Sequence, residues 1–397
     1  MRILIAAAGS RGDVAPYTGV GAALRAAGHE VALATTDAFA PLVREAGLEF
    51  RVLPSRPEPH GDVSDKRQLM RAAAAFVTDL GQGFAEALAP DTDLLLLSAT
   101  TAPLGLHLAE ATGVRTMGAH VVPAHPTGDF PPVVMGTRSL GRLGNRTAGR
   151  FALRMADRVY RQAVADLRGR LGLPPLTPAA MRRRQESANW PVLYGFSTAL
   201  VPRPADWRPG LDVVGTWSPY VAPGASLAPE LEDFLAAGPR PVFIGFGSMA
   251  GGHGERLGEI AVRALRRAGL RGVLQLGRTD VVGDDILTVG DVPHTLLFPR
   301  MAAVVHHAGA GTTAAALRAG VPAVPVPVAA DQPFWAARLT ALGAATAPVP
   351  YAELTEERLA DALREVVRRQ TYARAAAVAA QHMATQDGTG AVLKAIG

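Results

Sequence analysis

The chain has 397 residues, 48% hydrophobic and 19% charged, with a formal net charge of +5 and no cysteine. That length exceeds one ordinary core and predicts two domains of about 150 to 200 residues. The missing cysteine excludes disulfides, thiolate metal sites and a cysteine nucleophile, and suits a cytoplasmic protein. No run of about 18 uninterrupted apolar residues predicts membrane insertion, and the 40 basic residues are spread along the chain rather than clustered with aromatics, which argues against nucleic acid.

MRILIAAA at 1–8 reads as a first buried strand; after GSRGD, helical spacing follows and closes at Gly28. HEVALATT, AFAPLVREAG and LEFRVLP then predict strand, helix and strand, and the repeat of such units predicts a parallel sheet with crossover helices. The segment 54–66 is polar and rich in Pro and Gly. A helix over about 67–89, strand DLLLLSA (93–99), a helix near 103–112 and strand VRTMGAH follow. From 121 to 150 no clean period appears, as expected of a segment lining a cleft. Helical spacing returns at 151–172. Prolines and glycines concentrate around 202–224, after which the alternation restarts with PVFIGFGS, a helix at 254–268, GVLQLG, DILTVGDV, a helix at 294–300 and AAVVHHAG. A helix at 311–319, strand VPAVPVPV and helices at 333–341, 355–369 and 371–384 complete the pattern. The expectation is a first domain over 1–205, a linker over 206–224, a second domain over 225–375 and a C-terminal helix, 376–397, packing back on the first.

HHAGAGTT at 306–313 follows a strand and admits several readings: a tight turn, a metal site, a nucleophile turn or a phosphate cradle. Zinc is disfavoured, because adjacent histidines on a strand point to opposite faces and no third ligand is near. A helix N-terminus behind Gly309 and Gly311 is an anion site, and a plain turn capped by Thr312 or Thr313 is the alternative. IGFGSM at 244–249 ends another strand in glycines and Ser248, without the third glycine of a dinucleotide fingerprint. Two such loops in one domain can hold both sides of a diphosphate. PVAADQPFW presents Asp331 and Gln332 together, a carboxylate and an amide suited to sugar hydroxyls; Asp331 is otherwise an ordinary helix N-terminal residue ahead of Pro333. DTD at 91–93 reads as a turn before a strand, and Arg182 to Arg184 as a solvated face.

HHAGAGTTAAALRAGVPAVPVPVAADQPFWAARLTALG resembles the donor-site signature of inverting GT-B glycosyltransferases of the UDP-glycosyltransferase-like group (family 1), nearest the bacterial antibiotic, natural-product and sterol-type enzymes. GSRGDVAP, GFGSM and VGDVPHTLLFPR extend the resemblance over most of the chain. It implies an α/β GT-B fold of two facing, doubly wound, Rossmann-like domains with a cleft between them. By position it implies that His307, Gly309, Gly311, Thr312 and Thr313, with Ser248, bind a donor diphosphate, with His306 packed on the other side of the strand end, that Val292 and His294 lie at the nucleobase, and that Asp331 and Gln332 hold the sugar. Ala308 departs from the glycine common in the motif, which narrows the room beside the phosphate. Asp13 is the implied general base, with Ser10, Arg11, His120, His125, Phe130 and Met135 as candidates on the acceptor side; His120 equally suits a strand end.

The resemblance therefore implies metal-independent, inverting transfer of a sugar from a UDP- or dTDP-sugar to a hydroxyl of a lipophilic polyketide, macrolide, aromatic or sterol-like acceptor. The nucleotide sugar is a co-substrate and no cofactor is expected. The expected state is monomer or homodimer. A nucleotide-sugar 2-epimerase and a non-catalytic glycosyltransferase-like partner share the two-domain frame and remain the alternatives.

Overall fold

The computed structural model describes residues 1–54, 66–247, 254–276 and 283–397. The first half contains β1 (Arg2–Ala6), α1 (Arg11–Ala26), β2 (Glu30–Thr35), α2 (Ala40–Glu45), β3 (Glu49–Val52), α3 (Lys66–Ala87), β4 (Leu94–Leu97), α4 (Ala102–Thr112), β5 (Arg115–His120), α5 (Gly141–Arg170), α6 (Pro178–Ser187), β6 (Val192–Tyr194) and β7 (Leu211–Val213). Its strands form one parallel sheet in the order β3-β2-β1-β4-β5-β6-β7. Side chains alternate between two buried faces: Leu4, Ala6, Leu95 and Leu97 join one cluster with residues of α3 and α5, whereas Ile3, Ile5, Leu94 and Leu96 join another with residues of α1. A strand such as LLLL at β4, apolar at every position, is the sequence expected where both faces of a parallel sheet are covered.

The second half contains α7 (Pro229–Ala236), β8 (Val242–Gly245), α8 (Gly254–Ala268), β9 (Gly272–Gln275), β10 (Ile286–Thr288), α9 (His294–Leu297), β11 (Ala303–His306), α10 (Ala310–Arg318), β12 (Ala323–Pro325), α11 (Gln332–Ala341) and α12 (Glu356–Arg368), then α13 (Gln370–Ala384) and α14 (Gly388–Ile396). Its parallel sheet runs β10-β9-β8-β11-β12. In each sheet the strand order reverses once, between β1 and β4 in the first and between β8 and β11 in the second. Ligands of open parallel sheets sit outside the strand C-termini at that reversal. The β1–α1 and β11–α10 loops both leave from it.

The chain crosses between the two sheets twice. After β7 it runs along α1, where Tyr220 N donates to Thr18 Oγ1 (2.9 Å) and Trp217 lies against Tyr17. It returns after α13, and α14 packs on α1, with Trp217 Nε1 donating to Gly388 O (3.0 Å). β7 belongs to the first sheet, although its residues fall in the segment expected as linker.

Several elements differ from the sequence expectation. The helix expected from 151 begins at Gly141, because the Asn145 side chain accepts from Leu140 N (2.9 Å) and donates to Gly128 O (3.0 Å), pinning the preceding loop to the first turn. Helix α6 forms in the stretch after 172, where no element was predicted, with Thr177 Oγ1 accepting from Ala180 N (3.2 Å) and Pro178 opening the first turn. Helix α7 and the three-residue strands β6 and β7 were also missed; each is too short to show a period. Arg182 and Arg184 are engaged by Asp157, Glu186 and Glu110. The DTD turn is tied to β1, with Arg2 N donating to Asp93 Oδ2 (2.7 Å) and the Arg2 guanidinium paired with Asp91.

Candidate functional site

At the start of α1, Gly9 has φ +139, a conformation open to glycine. A Cβ there would lie 2.5 Å from Asp13 Oδ2, so this glycine is also the space that the carboxylate occupies. Ser10 caps the helix and Asp13 is its third residue: Ser10 N and Ser10 Oγ both donate to Asp13 Oδ2, each at 2.8 Å. Burial raises the Asp13 carboxyl above its ordinary 3.8 against the lowering pull of those two hydrogen bonds. Tyr17, one turn on, is fully buried and donates to Ala119 O (2.5 Å).

Facing it, β11 ends at His306, whose Nδ1 accepts from Ala308 N (3.0 Å) and whose ring is wholly buried; burial holds it neutral, at about 3. His306 thus packs away from solvent as expected. Ala308 has φ +62, the left-handed region that explains a glycine preference at this position, and its methyl is part of the hydrophobic core. The expectation that this methyl narrows space beside a phosphate is corrected by that burial. The His307 ring lies between Gly247 and Gly309; a Cβ at Gly309 would approach its Nε2 to 2.6 Å. Burial lowers the His307 imidazole, and its Nδ1 is buried without a partner among the described residues.

Gly309 is the N-cap of α10, and Thr313 N closes the first turn on Gly309 O (2.9 Å), which leaves the amides of 310–312 without helical acceptors. Around Gly311 there is open space for a Cβ and hence for a ligand. Thr312 is half-buried; Thr313 is fully buried, its hydroxyl without a partner among the described residues. Ser248 lies outside the described residues.

The loop before α11 supplies the third side. Trp335 Nε1 donates to Asp331 Oδ2 (2.7 Å), and Gln332 Oε1 accepts from Val328 N (2.8 Å) and Ala329 N (3.2 Å), so the loop occupies the amide oxygen and leaves the NH2 group. Burial raises the Asp331 carboxyl; the Trp335 hydrogen bond opposes this, and the charge of Asp13 adds to the rise. The two carboxylates therefore sense each other across the seam. Gly12 and Pro16 of α1, Gly311 of α10, Trp335 of α11 and the unpartnered Thr216 hydroxyl line one cavity of about 20 Å3 there.

Before α9, Val292 is half-buried and His294 stacks on Phe298 (centroids 4.3 Å apart, 13° between planes). Burial holds His294 at about 4, with Asp291 pulling it up and Arg11 and His307 pulling it down. Arg11 and Asp291 meet across the seam at 2.7 Å. His120 ends β5 and is buried at about 3, both ring nitrogens unpartnered, in an aromatic group with His125, Trp190 and Tyr194. His125 is hydrogen-bonded through Nδ1 to the Tyr194 hydroxyl and is held at about 4 by burial. Phe130 reaches across to Phe334 of α11 (5.3 Å) with Arg338 over its ring, whereas Met135 is 51% exposed. The structure thus gathers Ser10, Arg11, Asp13, His294, His307, Gly311 and Asp331 at one seam. His120 and His125 lie in a separate buried cluster.

Residues 3–88 match the glycosyltransferase family 28 N-terminal domain, and residues 274–396 match the erythromycin biosynthesis protein CIII-like C-terminal domain. An O-mycaminosyltylonolide 6-deoxyallosyltransferase of Streptomyces fradiae is 39% identical over 92% of this chain and 90% of its own. The chain belongs to the antibiotic and sterol glycosyltransferases. This glycosyltransferase is also 32% identical to a vancomycin aglycone glucosyltransferase of Amycolatopsis orientalis, over 96% of this chain and 93% of that one. A sterol 3-beta-glucosyltransferase of Arabidopsis thaliana is 33% identical over the whole chain, which spans 65% of the relative's length. Among solved structures, the kitacinnamycin glycosyltransferase superposes with a TM-score of 0.73 (20% identity, 100% and 97% coverage) and a spinosyn rhamnosyltransferase with 0.69 (22%, 100% of both), so the glycosyltransferase has the GT-B fold.

Sequence reasoning missed Gly9, Trp335 and Asp291 as parts of this site. Gly9 stands beside a motif already singled out, and Trp335 follows Asp331 at helical spacing, i to i+4, so both carried a local signal. The Arg11–Asp291 contact carried none, since the partners are 280 positions apart in sequence.

Proposed function

We propose that this glycosyltransferase moves a sugar from a UDP- or dTDP-sugar to a hydroxyl of a lipophilic acceptor, by direct displacement with inversion and without a metal ion. The observation that carries the reading is the pair of half-buried carboxylates, Asp13 in the first turn of α1 and Asp331 before α11, near enough that the charge of Asp13 raises the Asp331 carboxyl. Asp13 Oδ2 is occupied by Ser10, so Oδ1 accepts the acceptor hydroxyl's proton as its oxygen bonds to the anomeric carbon. The bond from that carbon to the diphosphate breaks, and its electron pair leaves with the phosphate oxygen. The free amides and positive end of α10 meet that charge, with the His307 ring beside them. Asp331 Oδ1 and the Gln332 NH2 group orient the sugar hydroxyls, while Val292 and His294 border the nucleobase. Phe130 stands on the acceptor side, and Arg11, paired with Asp291 beside Val292, stands on the donor side.

A structural neighbour supports this substrate class: a spinosyn rhamnosyltransferase has been crystallised with thymidine diphosphate and with spinosyn aglycone. A cysteine-free, soluble-type sequence supports a cytoplasmic enzyme using cytoplasmic nucleotide sugars. The test is a panel of UDP- and dTDP-sugars against mixed lipophilic acceptors, read by mass spectrometry, with the anomeric linkage read by NMR. An α-donor is expected to give β-product, with turnover unchanged by EDTA. Exclusive α-product overturns the displacement mechanism, and a donor sugar altered without acceptor indicates an epimerase.

A further inference from the structure

We infer that the outer face of α5, with the loop leading into it, is a docking surface for an anionic lipid bilayer. The helix runs from Gly141 to Arg170, and its buried side carries Asn145, Gly149, Ala163, Val164 and Leu167. On the opposite side, at positions three and four apart, stand Leu143, Arg150, Phe151, Arg154, Arg158 and Arg161, all exposed. Leu143 is 82% exposed and Phe151 51%, and the preceding loop adds Val134 at 63% and Leu140 at 60%. These large apolar side chains leave half or more of their surface uncovered by the described residues.

The charge on this face is one-sided. Between residues 131 and 161 there are seven arginines and a single carboxylate, Asp157, which Arg182 engages at 2.9 Å. Arg142 and Arg146 are paired with Asp129 and Asp206. Arg150, Arg154 and Arg161 have no partner among the described residues, and Arg158 reaches only the Met155 sulfur. From Leu143 to Arg161 the stripe is about 27 Å long, at about 1.5 Å per residue. Four arginines with Leu143 and Phe151 among them along one helix face fit a flat partner with negative charge at its surface and hydrocarbon just beneath it. A nucleic acid would satisfy the arginines but leave the apolar side chains without a partner. None of the described helices is long and apolar enough to cross a membrane, so α5 lies on the surface. Its leading loop also carries Phe130 to the seam. Delivery of a membrane-dissolved acceptor along that path rests on the proposed function, whereas the docking itself does not.

The test uses the full chain without donor or acceptor, in co-sedimentation with phosphatidylcholine vesicles and with vesicles containing about 30 mol% phosphatidylglycerol, at about 50 mM and about 500 mM NaCl. Binding to the anionic vesicles at low salt is expected. It should fall about tenfold or more in Arg150→Glu/Arg154→Glu, and several-fold in Leu143→Ser/Phe151→Ser, which keeps the charge. A matched reversal on α8, Arg256→Glu/Arg263→Glu, should leave it unchanged. Absence of vesicle binding, or equal loss in the α8 variant, overturns the proposal; wild-type binding to polyglutamate but not to vesicles overturns it in favour of an acidic protein partner. All variants should glycosylate a water-soluble acceptor at the wild-type rate, and a failure of that assay in the wild type bears on the catalytic reading alone.

Discussion

At Asp13 both hydrogen bonds end on one oxygen, so Ser10 fixes the carboxylate and leaves its second oxygen as the one through which the proposed base would act. Asp13→Asn should lower kcat by about 100- to 10,000-fold with nucleoside diphosphate affinity retained, as measured by turnover and by calorimetry. Because burial raises this carboxyl above 3.8, the base is lost to protonation sooner as pH falls. The acidic limb of the kcat/KM profile should therefore lie above 3.8, and a limb at or below that value refutes Asp13 as the base. Gly9→Ala tests the same carboxylate from its other side: the methyl group meets Oδ2, so activity should drop sharply while stability falls by about 1–3 kcal/mol. A variant that melts lower yet turns over normally would count against this packing.

Two strand-to-helix loops and one pre-helix loop make the site, and the backbone of two of them is strained: Ala308 and Ala330 both have positive φ. The glycine spacing in HHAGAGTT made the α10 loop legible from the sequence, because a strand end followed by glycines and threonines is a local pattern. What held the halves together was not legible, since Arg11–Asp291 and Phe130–Phe334 join distant residues. These two contacts differ in kind. The ion pair is more than half exposed on both sides, so Arg11→Ala should change thermal stability little, by about 0–1 kcal/mol, and act mainly on donor KM. Phe130 is buried against α11, and Phe130→Ala should destabilise by about 3–5 kcal/mol in denaturant unfolding. Equal losses from both would show that the seam is not divided in this way.

Across the whole molecule, His107, His120, His125, His294 and His306 are held neutral at about 3 to 4 by burial, below their ordinary 6.5. The unfolded chain takes up protons between 6.5 and about 4 that the folded chain refuses, so stability is present above 6.5 and is lost as pH falls through that window. Melting temperature should decline steadily there, and His120→Phe should flatten the decline; a pH-independent melting temperature would contradict it. The two-sheet frame was legible because runs such as LLLL and AVVH alternate with helical spacing, whereas β6 and β7, three residues each beside prolines, fell below any period. The cavity lined by Gly12, Pro16, Thr216 and Gly311, about 20 Å3, is far smaller than the several hundred cubic ångströms a lipophilic ligand fills, so a parting of the two halves is the expected way to admit one there. Where the chain crosses between them it does so beside itself: a Cβ on Gly215 would sit 3.0 Å from Gln386 and 3.2 Å from Gly388, and Trp217 is bonded to the same Gly388 carbonyl. Two covalent crossings that touch act as one pivot. They permit swing about that point and resist sliding, so the angle of opening becomes the single coordinate that sets how bulky an acceptor can be.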